Sequence, residues 1–306
     1  MLERILKAQK KVQKFVKQTP LDEFQGRNKE FVKREDLQDV RSFKVRGVAN
    51  KVLMLSKEER EKGILTFSSG NNAQAVAYVA NQLKIQATIF MPEGTSKEKV
   101  KRTKMFGKSN VEVIEKGSHY DITEKLGINY ATKHELTIVH PFNDLEVIAG
   151  QGTIALEVLE QLNGKQLDYA FIQVGGGGLL AGVSSVLKQL SPKTKIIAVE
   201  YQGQDCLRKA VSHSKPITLN TLDRYVEGTA VARIGNLTYK ICKENVDMYI
   251  VVNKPAINCA KKQSKKRNIN AENAGVLGMA GLYHSCFVDL KEKNVLYIIS
   301  GANGQN

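Results

Sequence analysis

The chain has 306 residues, 42% hydrophobic and 25% charged, enough for one large or two medium domains with a full core; such a composition excludes a disordered chain, a collagen-like fibre and a disulfide miniprotein. No stretch reaches the roughly 18 apolar residues of a membrane span, and the N-terminal run MLERILKAQKKVQKF is too charged for a secretory leader, so a cytoplasmic protein is expected. Lys and Arg (46) outnumber Asp and Glu (31), a net +15, yet the basic residues are spread along the chain, and their densest cluster, Lys261-Lys262-Gln263-Ser264-Lys265-Lys266-Arg267, has no aromatic to stack on bases; a solvated helix face is expected, with neither nucleic acid nor membrane as partner.

In chain order, short β-branched runs predict strands at 30–34, 63–67, 87–91, 111–114, 136–139, 168–174, 195–200, 248–252 and 295–300. Helical spacing fills the intervals. Ala73, Val76, Ala77 and Ala80 share one stripe of a helix over 71–83, and Ile148, Leu156 and Leu162 mark another over 145–162. Strands alternating with helices imply βαβ units and parallel sheets. The first third and the portion after about 145 each hold several such units, which predicts two α/β domains. Cys206, Cys242, Cys259 and Cys286 are far apart and without paired spacing, so no zinc site or disulfide framework is expected. His119, His134, His213 and His284 are scattered in the same way.

Three strands run into polar, glycine-bearing loops: Ser68-Ser69-Gly70-Asn71-Asn72, Gly175-Gly176-Gly177-Gly178 and Ser300-Gly301-Ala302-Asn303. In open α/β sheets ligands sit beyond the carboxyl ends of strands, so the three loops point to one shared pocket. The tetraglycine joins a strand to a helix, where backbone N–H groups can approach a phosphate closely. The alternative is a plain tight turn, for which four glycines carry a high ordering entropy. Lys44, in Ser42-Phe43-Lys44-Val45-Arg46-Gly47, reads either as one more surface lysine or as a desolvated amine suited to Schiff-base chemistry.

Taken together the motifs resemble the threonine dehydratase and serine racemase group, pyridoxal-phosphate (PLP) enzymes of the tryptophan-synthase-β-like fold. The resemblance runs through Thr19-Pro20-Leu21, Lys33-Arg34-Glu35-Asp36, the Ser-Phe-Lys run, the Ser-Ser-Gly-Asn loop, Met91-Pro92, His140-Pro141-Phe142, Gly150-Gln151-Gly152-Thr153, the tetraglycine, Glu227-Gly228 and Ser300-Gly301-Ala302-Asn303. It implies two open parallel-sheet α/β domains with PLP in the cleft between them. Residues 1–38 and 146–306 would form the large domain and 39–145 the small one, in a dimer or tetramer. Lys44 would carry PLP and later act as base at the substrate Cα. Phe43 would pack on the ring, Asn71 would bond the ring hydroxyl and Ser300 would face the ring nitrogen. Gly175, Gly176, Gly177, Gly178 and Leu179 would hold the phosphate; Ser68, Ser69, Gly70 and Asn72 would hold the substrate carboxylate.

The implied reaction is β-elimination from L-threonine or L-serine to a 2-oxo acid and ammonia. Ser69 reads as an acid/base on the opposite face, as in serine racemases, or as a helix N-cap. Several departures from the family pattern motivate a second reading, a homologue that keeps the fold and serves as a binding protein. Asn72 replaces a histidine, and Asn273 replaces a proline beside Glu272. The helix expected over 258–271 carries Lys261, Ser264 and Asn268 where an apolar stripe should lie, which would either cost stability or leave the helix loose. The chain stops six residues after Ser300, without the regulatory domain of biosynthetic members, so an unregulated enzyme is expected. Glu200 and Asp205 lie near where racemases bind a cation, but the run between them matches poorly and no metal is expected.

Overall fold

The computed structural model describes residues 1–25, 28–284, 286 and 290–304. Along the chain run α1 (Leu2–Val12), β1 (Leu21–Gln25), β2 (Lys29–Arg34), α2 (Lys44–Leu53), α3 (Lys57–Lys62), β3 (Ile64–Phe67), α4 (Asn71–Leu83), β4 (Ala87–Met91), α5 (Lys97–Gly107), β5 (Val111–Glu115), α6 (Tyr120–Lys133) and β6 (Thr137–Ile138). Then follow α7 (Leu145–Leu162), β7 (Tyr169–Gln173), α8 (Gly178–Leu190), β8 (Lys195–Tyr201), α9 (Cys206–Ser212), α10 (Asn236–Asn245), β9 (Met248–Val252), α11 (Lys254–Lys266), α12 (Leu277–Ala280) and β10 (Asn294–Ile299). One sheet has four strands in the order β5-β4-β3-β6, all parallel; the other has six, β1-β2-β10-β7-β8-β9, parallel except for the β1–β2 pair. This is the α/β architecture with parallel sheets that the alternation of patterns implied.

Each strand expected from the sequence forms, within a residue or two at the ends. β1 was not foreseen. Its run Leu21-Asp22-Glu23-Phe24-Gln25 offers only two apolar residues, and as an antiparallel edge it stays half-exposed, so it lacks the apolar signature of a parallel strand. The helix expected over 258–271 is corrected to α11, Lys254–Lys266, capped by the Asn253 side chain, with Asn268 beyond its end at φ +58°. Nor do its polar residues leave it loose. Ser264 is buried beside Ile257 and Ala260 with its hydroxyl on the Lys261 carbonyl, and Lys261 Nζ reaches the Ala271 carbonyl at 2.9 Å.

The central element is α7. The Asp144 side chain caps it by accepting the N–H groups of Glu146 and Val147, and most of its length is buried. It packs closely on α2 and α8 because glycines stand at the crossings. A Cβ on Gly150 would lie 2.4 Å from the Arg46 carbonyl oxygen, and one on Gly182 would lie 2.5 Å from the Gly152 nitrogen. Close packing of this kind fixes α2, and therefore Lys44, relative to the large sheet.

Candidate active site

β3, β7 and β10 end in the three loops singled out above, and these loops share a cavity of about 470 Å³ between the sheets. Phe43, Lys44, Ser68, Ser69, Gly70, Asn71, Asn72, Gly175, Gly176, Gly177, Gly178, Leu179 and Ser300 all line it. Lys44 opens α2. Its Nζ donates to the Pro141 carbonyl at 2.7 Å and lies 5.3 Å from the centre of the Phe43 ring. Among the described residues it has no carboxylate partner, and burial alone lowers its pKa from 10.5 to about 8. The surface-lysine reading is therefore set aside.

Two arrays of backbone donors face the same cavity. Among the described residues, none of the N–H groups of residues 175–179 donates to a protein acceptor; the first to do so past the turn is Ala181, to the Gly177 carbonyl. At the start of α4 the N–H groups of Ser69, Asn71, Asn72 and Ala73 are likewise without a protein acceptor, while Gly70 donates to the Ser68 hydroxyl at 3.2 Å. Buried N–H groups are almost always satisfied, so such runs beside a cavity mark anion sites. The tetraglycine is there for space. A Cβ on Gly176 would sit 2.2 Å from the Phe142 ring, and Gly177 has φ +89°.

Other side chains depart from the simplest expectation. The N-cap of α4 is Gly70, so Ser69 is not the cap, and its hydroxyl is hydrogen-bonded to no protein group among the described residues. Asn72 donates its side-chain amide to the Thr66 hydroxyl at 2.9 Å, while its Oδ1 is buried without a hydrogen-bond partner among the described residues and its backbone N–H stays uncommitted. Asn71 is held from two directions, donating to Glu272 Oε1 at 2.6 Å and accepting from Asn303 Nδ2 at 2.9 Å. Burial pushes the Glu272 carboxyl up despite that bond and the N–H groups of Gly304 and Asn303. Ser300 is buried and donates to the Ala274 carbonyl at 3.3 Å. The motifs singled out in the sequence hold Pro141, Phe142 and Asn303 but gave these residues no role in the site. Only the order of motifs could have flagged them, because none carries chemistry of its own.

Beneath the site, Arg46 is fully buried with its guanidinium forked between Glu35 (2.7 and 2.8 Å) and Glu157 (2.6 and 2.8 Å). Lys33 adds a 2.7 Å pair to Glu157. Glu200 is taken up elsewhere: its carboxylate accepts the N–H groups of Leu207 and Arg208 at 2.7 and 2.8 Å, and Asp205 pairs with Arg208 and Lys209. Imidazole Nδ1 of His140 accepts the N–H groups of Phe142 and Asn143, fixing the Pro141 turn against which Lys44 rests.

A desolvated primary amine, an uncommitted N–H cradle whose turn has little room for side chains, and an aromatic ring beside the amine fit one cofactor, an aldehyde carrying a phosphate. Comparison with known proteins agrees. The model of the family described as pyridoxal-phosphate dependent enzyme matches residues 12–301. L-threonine dehydratase biosynthetic IlvA of Staphylococcus aureus is 42% identical over 298 residues, covering 94% of this chain and 70% of that protein's length. Among solved structures, processed threonine deaminase isoform 2 from Solanum lycopersicum superposes with a TM-score of 0.93 at 36% identity, over 99% of this chain and 89% of that one. Maize serine racemase gives 0.92 at 30%, over 99% and 93%. The chain belongs to the pyridoxal-phosphate dependent enzyme family, in the group that holds the threonine dehydratases and serine racemases.

Proposed function

We propose that the protein is a PLP-dependent L-threonine/L-serine dehydratase, releasing a 2-oxo acid and ammonia by β-elimination. The observation that carries this reading is the Lys44 amine, desolvated and, among the described residues, without a carboxylate partner, in one cavity with two N–H arrays that those residues leave uncommitted. PLP, when bound, supplies the electron sink that allows heterolysis of the substrate Cα–H bond. Lys44 would hold the cofactor through Nζ, and the N–H groups of Gly175 to Leu179 would take its phosphate. Phe43 would cover the ring, Asn71 would address the ring hydroxyl and Ser300 the ring nitrogen. A neutral serine hydroxyl cannot hold a pyridinium as a carboxylate would, which favours elimination over transamination.

The N–H groups at the start of α4 orient the substrate carboxylate, aided by the helix dipole. Once the substrate's amino group had displaced it from the cofactor, Lys44 Nζ would be free to take the Cα proton; in the cofactor-free cavity its pKa is lowered to about 8 by burial, so a fraction of the amine is unprotonated near neutrality. The β-hydroxyl would depart as water on receiving the proton that Lys44 Nζ had taken, and the released enamine would hydrolyse to the 2-oxo acid and ammonia. The same reading takes residues 1–38 and 146–306 as the large domain and 39–145 as the small one, supported by where each sheet draws its strands. It also carries the cytoplasmic location and the dimer or tetramer expected from the resemblance; among the described residues no helix is long and apolar enough to cross a membrane.

The test is product formation. Purified protein supplied with PLP and L-threonine should yield 2-oxobutyrate, and Lys44→Ala should lower the rate by more than about 10³-fold and abolish borohydride-fixed cofactor. Bound cofactor with no 2-oxo acid from either amino acid would leave the binding-protein reading in its place. One observation favours racemisation as a side activity: the Ser69 hydroxyl lines the cavity without a protein hydrogen-bond partner among the described residues. D-serine formed from L-serine and lost in Ser69→Ala would establish it.

A further inference from the structure

The N–H array of the glycine turn is useful only if its peptides face the cavity, and glycine by itself does not enforce that. Four glycines in a row have the greatest backbone freedom of any tetrapeptide. Something must choose one orientation for each peptide. In a planar trans peptide the carbonyl of one residue and the N–H of the next point in opposite directions. Gripping a carbonyl from behind therefore aims the following N–H forward.

Behind the turn the structure has such grips. Thr238, fully buried in the first turn of α10, donates its hydroxyl to the Gly176 carbonyl at 2.7 Å, with Gly235 O as a longer alternative at 3.1 Å. Cys206 Sγ approaches the Gly175 carbonyl at 3.7 Å and Cys242 Sγ the Gly177 carbonyl at 3.9 Å. Both thiols are buried, and burial raises their pKa, so each keeps its proton and remains a donor. Three consecutive carbonyls are thus met from behind by three side-chain donors. The thiol contacts are long and weak; the threonine bond is short. The turn also rests on Thr238 sterically, since a Cβ on Gly177 would lie 2.9 Å from Thr238 Cβ. Position 238 itself is held because Asn143 Oδ1 accepts the Leu237 N–H at 2.9 Å at the start of α10.

We propose that Thr238 is a positioning residue for the phosphate cradle, turning the Gly177 N–H toward the cavity by holding the Gly176 carbonyl, with Cys206 and Cys242 acting more weakly on the neighbouring peptides. This rests on the reading above that residues 175–179 hold the phosphate of PLP. Thr238 is not among the residues that line the cavity, so its effect is confined to the part of the cofactor that the turn grips. Phosphate recognition and aldehyde capture are separable, because Lys44 sits on α2 and the cradle lies between β7 and α8.

The experiment compares PLP with pyridoxal, which has the aldehyde and ring but no phosphate. Affinities of the resolved protein for each are measured by fluorescence titration in the wild type, Thr238→Val and Thr238→Ser. In the wild type PLP should bind at least 100-fold more tightly than pyridoxal; equal affinities would overturn the cradle reading itself. Given that discrimination, Thr238→Val should weaken PLP tenfold or more and leave pyridoxal within twofold, and Thr238→Ser should stay near the wild type for both. Equal weakening of the two ligands, or an unchanged PLP to pyridoxal ratio, would overturn the role of Thr238 alone. If Thr238→Val does not fold, Thr238→Ala removes the same donor with less bulk and should show the same split. Loss of the fold in both would overturn the proposal by assigning Thr238 to the stability of α10.

Discussion

Lys44 and Arg46 stand two residues apart at the start of α2, both desolvated, and their surroundings send them to opposite uses. Among the described residues Lys44 meets a carbonyl and an aromatic face and no carboxylate, so burial drives its pKa down to about 8. Arg46 has two carboxylates, which outweigh its burial and raise its pKa. In the sequence both were basic residues of one motif; which of them would be paired depended on Glu35 and Glu157, remote along the chain. For Lys44, peptide-mapped modification of the cofactor-free protein should speed up about tenfold per pH unit and level off above about 8. A midpoint at 10.5 would refute the desolvated amine. The native state also binds fewer protons than the unfolded chain between those values, so the stability deficit against Lys44→Met should shrink as pH rises across that window. For Arg46, replacement by Met strands buried carboxylates, and urea unfolding should show a loss of about 3–5 kcal/mol. A loss under about 1 kcal/mol would contradict that account.

The turn into α8 and the helix α11 show how local pattern can inform and mislead. Four glycines announced a close approach, and what approaches Gly176 and Gly178 from within the protein is Phe142, from a distant loop. Gly176→Ala should therefore cut PLP affinity at least tenfold, and Phe142→Ala added to it should restore part of the loss, read by cofactor titration. No recovery would mean that the ring is not the obstacle. In α11, counting polar residues on an expected apolar stripe suggested a loose helix because the helix was placed four residues too late. With its start at Lys254, only Ser264 of those residues is buried, and a hydroxyl bonded back to its own helix is compatible with packing. Ser264→Ala should change stability by less than about 0.5 kcal/mol in urea unfolding. A cost above about 1.5 kcal/mol would show that the hydroxyl carries more than a back-bond. Strands were legible because buried parallel strands are nearly all apolar; β1, at an exposed edge, was not.

Seen entire, the molecule is two sheets with a ligand cleft between them, bridged at several points. Lys99, from α5, forms an ion pair with Glu227 across the mouth of the cavity, and Asn303 links the end of the chain to Val40 and Asn71. Both bridges join segments far apart in sequence. Glu227 is more than half exposed, so the ion pair is worth about 0.2–1 kcal/mol. Glu227→Gln should accordingly raise the substrate KM by up to about fivefold with kcat within a factor of two. Since exposed pairs are screened, the wild type in about 0.5 M salt should approach the variant. An equal fall in kcat would mean that the contact serves chemistry instead of closure.

The alternation of apolar runs, the glycines and the motif order sufficed to establish the α/β class and the kinship and to name candidate residues that line one cavity, because these depend on local periodicity and on turns that few residues tolerate. Beyond their reach lay everything that rests on partners distant along the chain. The depressed amine of Lys44, the buried fork of Arg46, the pinning of Asn71 by Glu272 and Asn303 and the backing of the glycine turn by Thr238 are of this kind. Charge state and hydrogen-bond direction follow from which groups share a water-free space, and only folding brings those groups together.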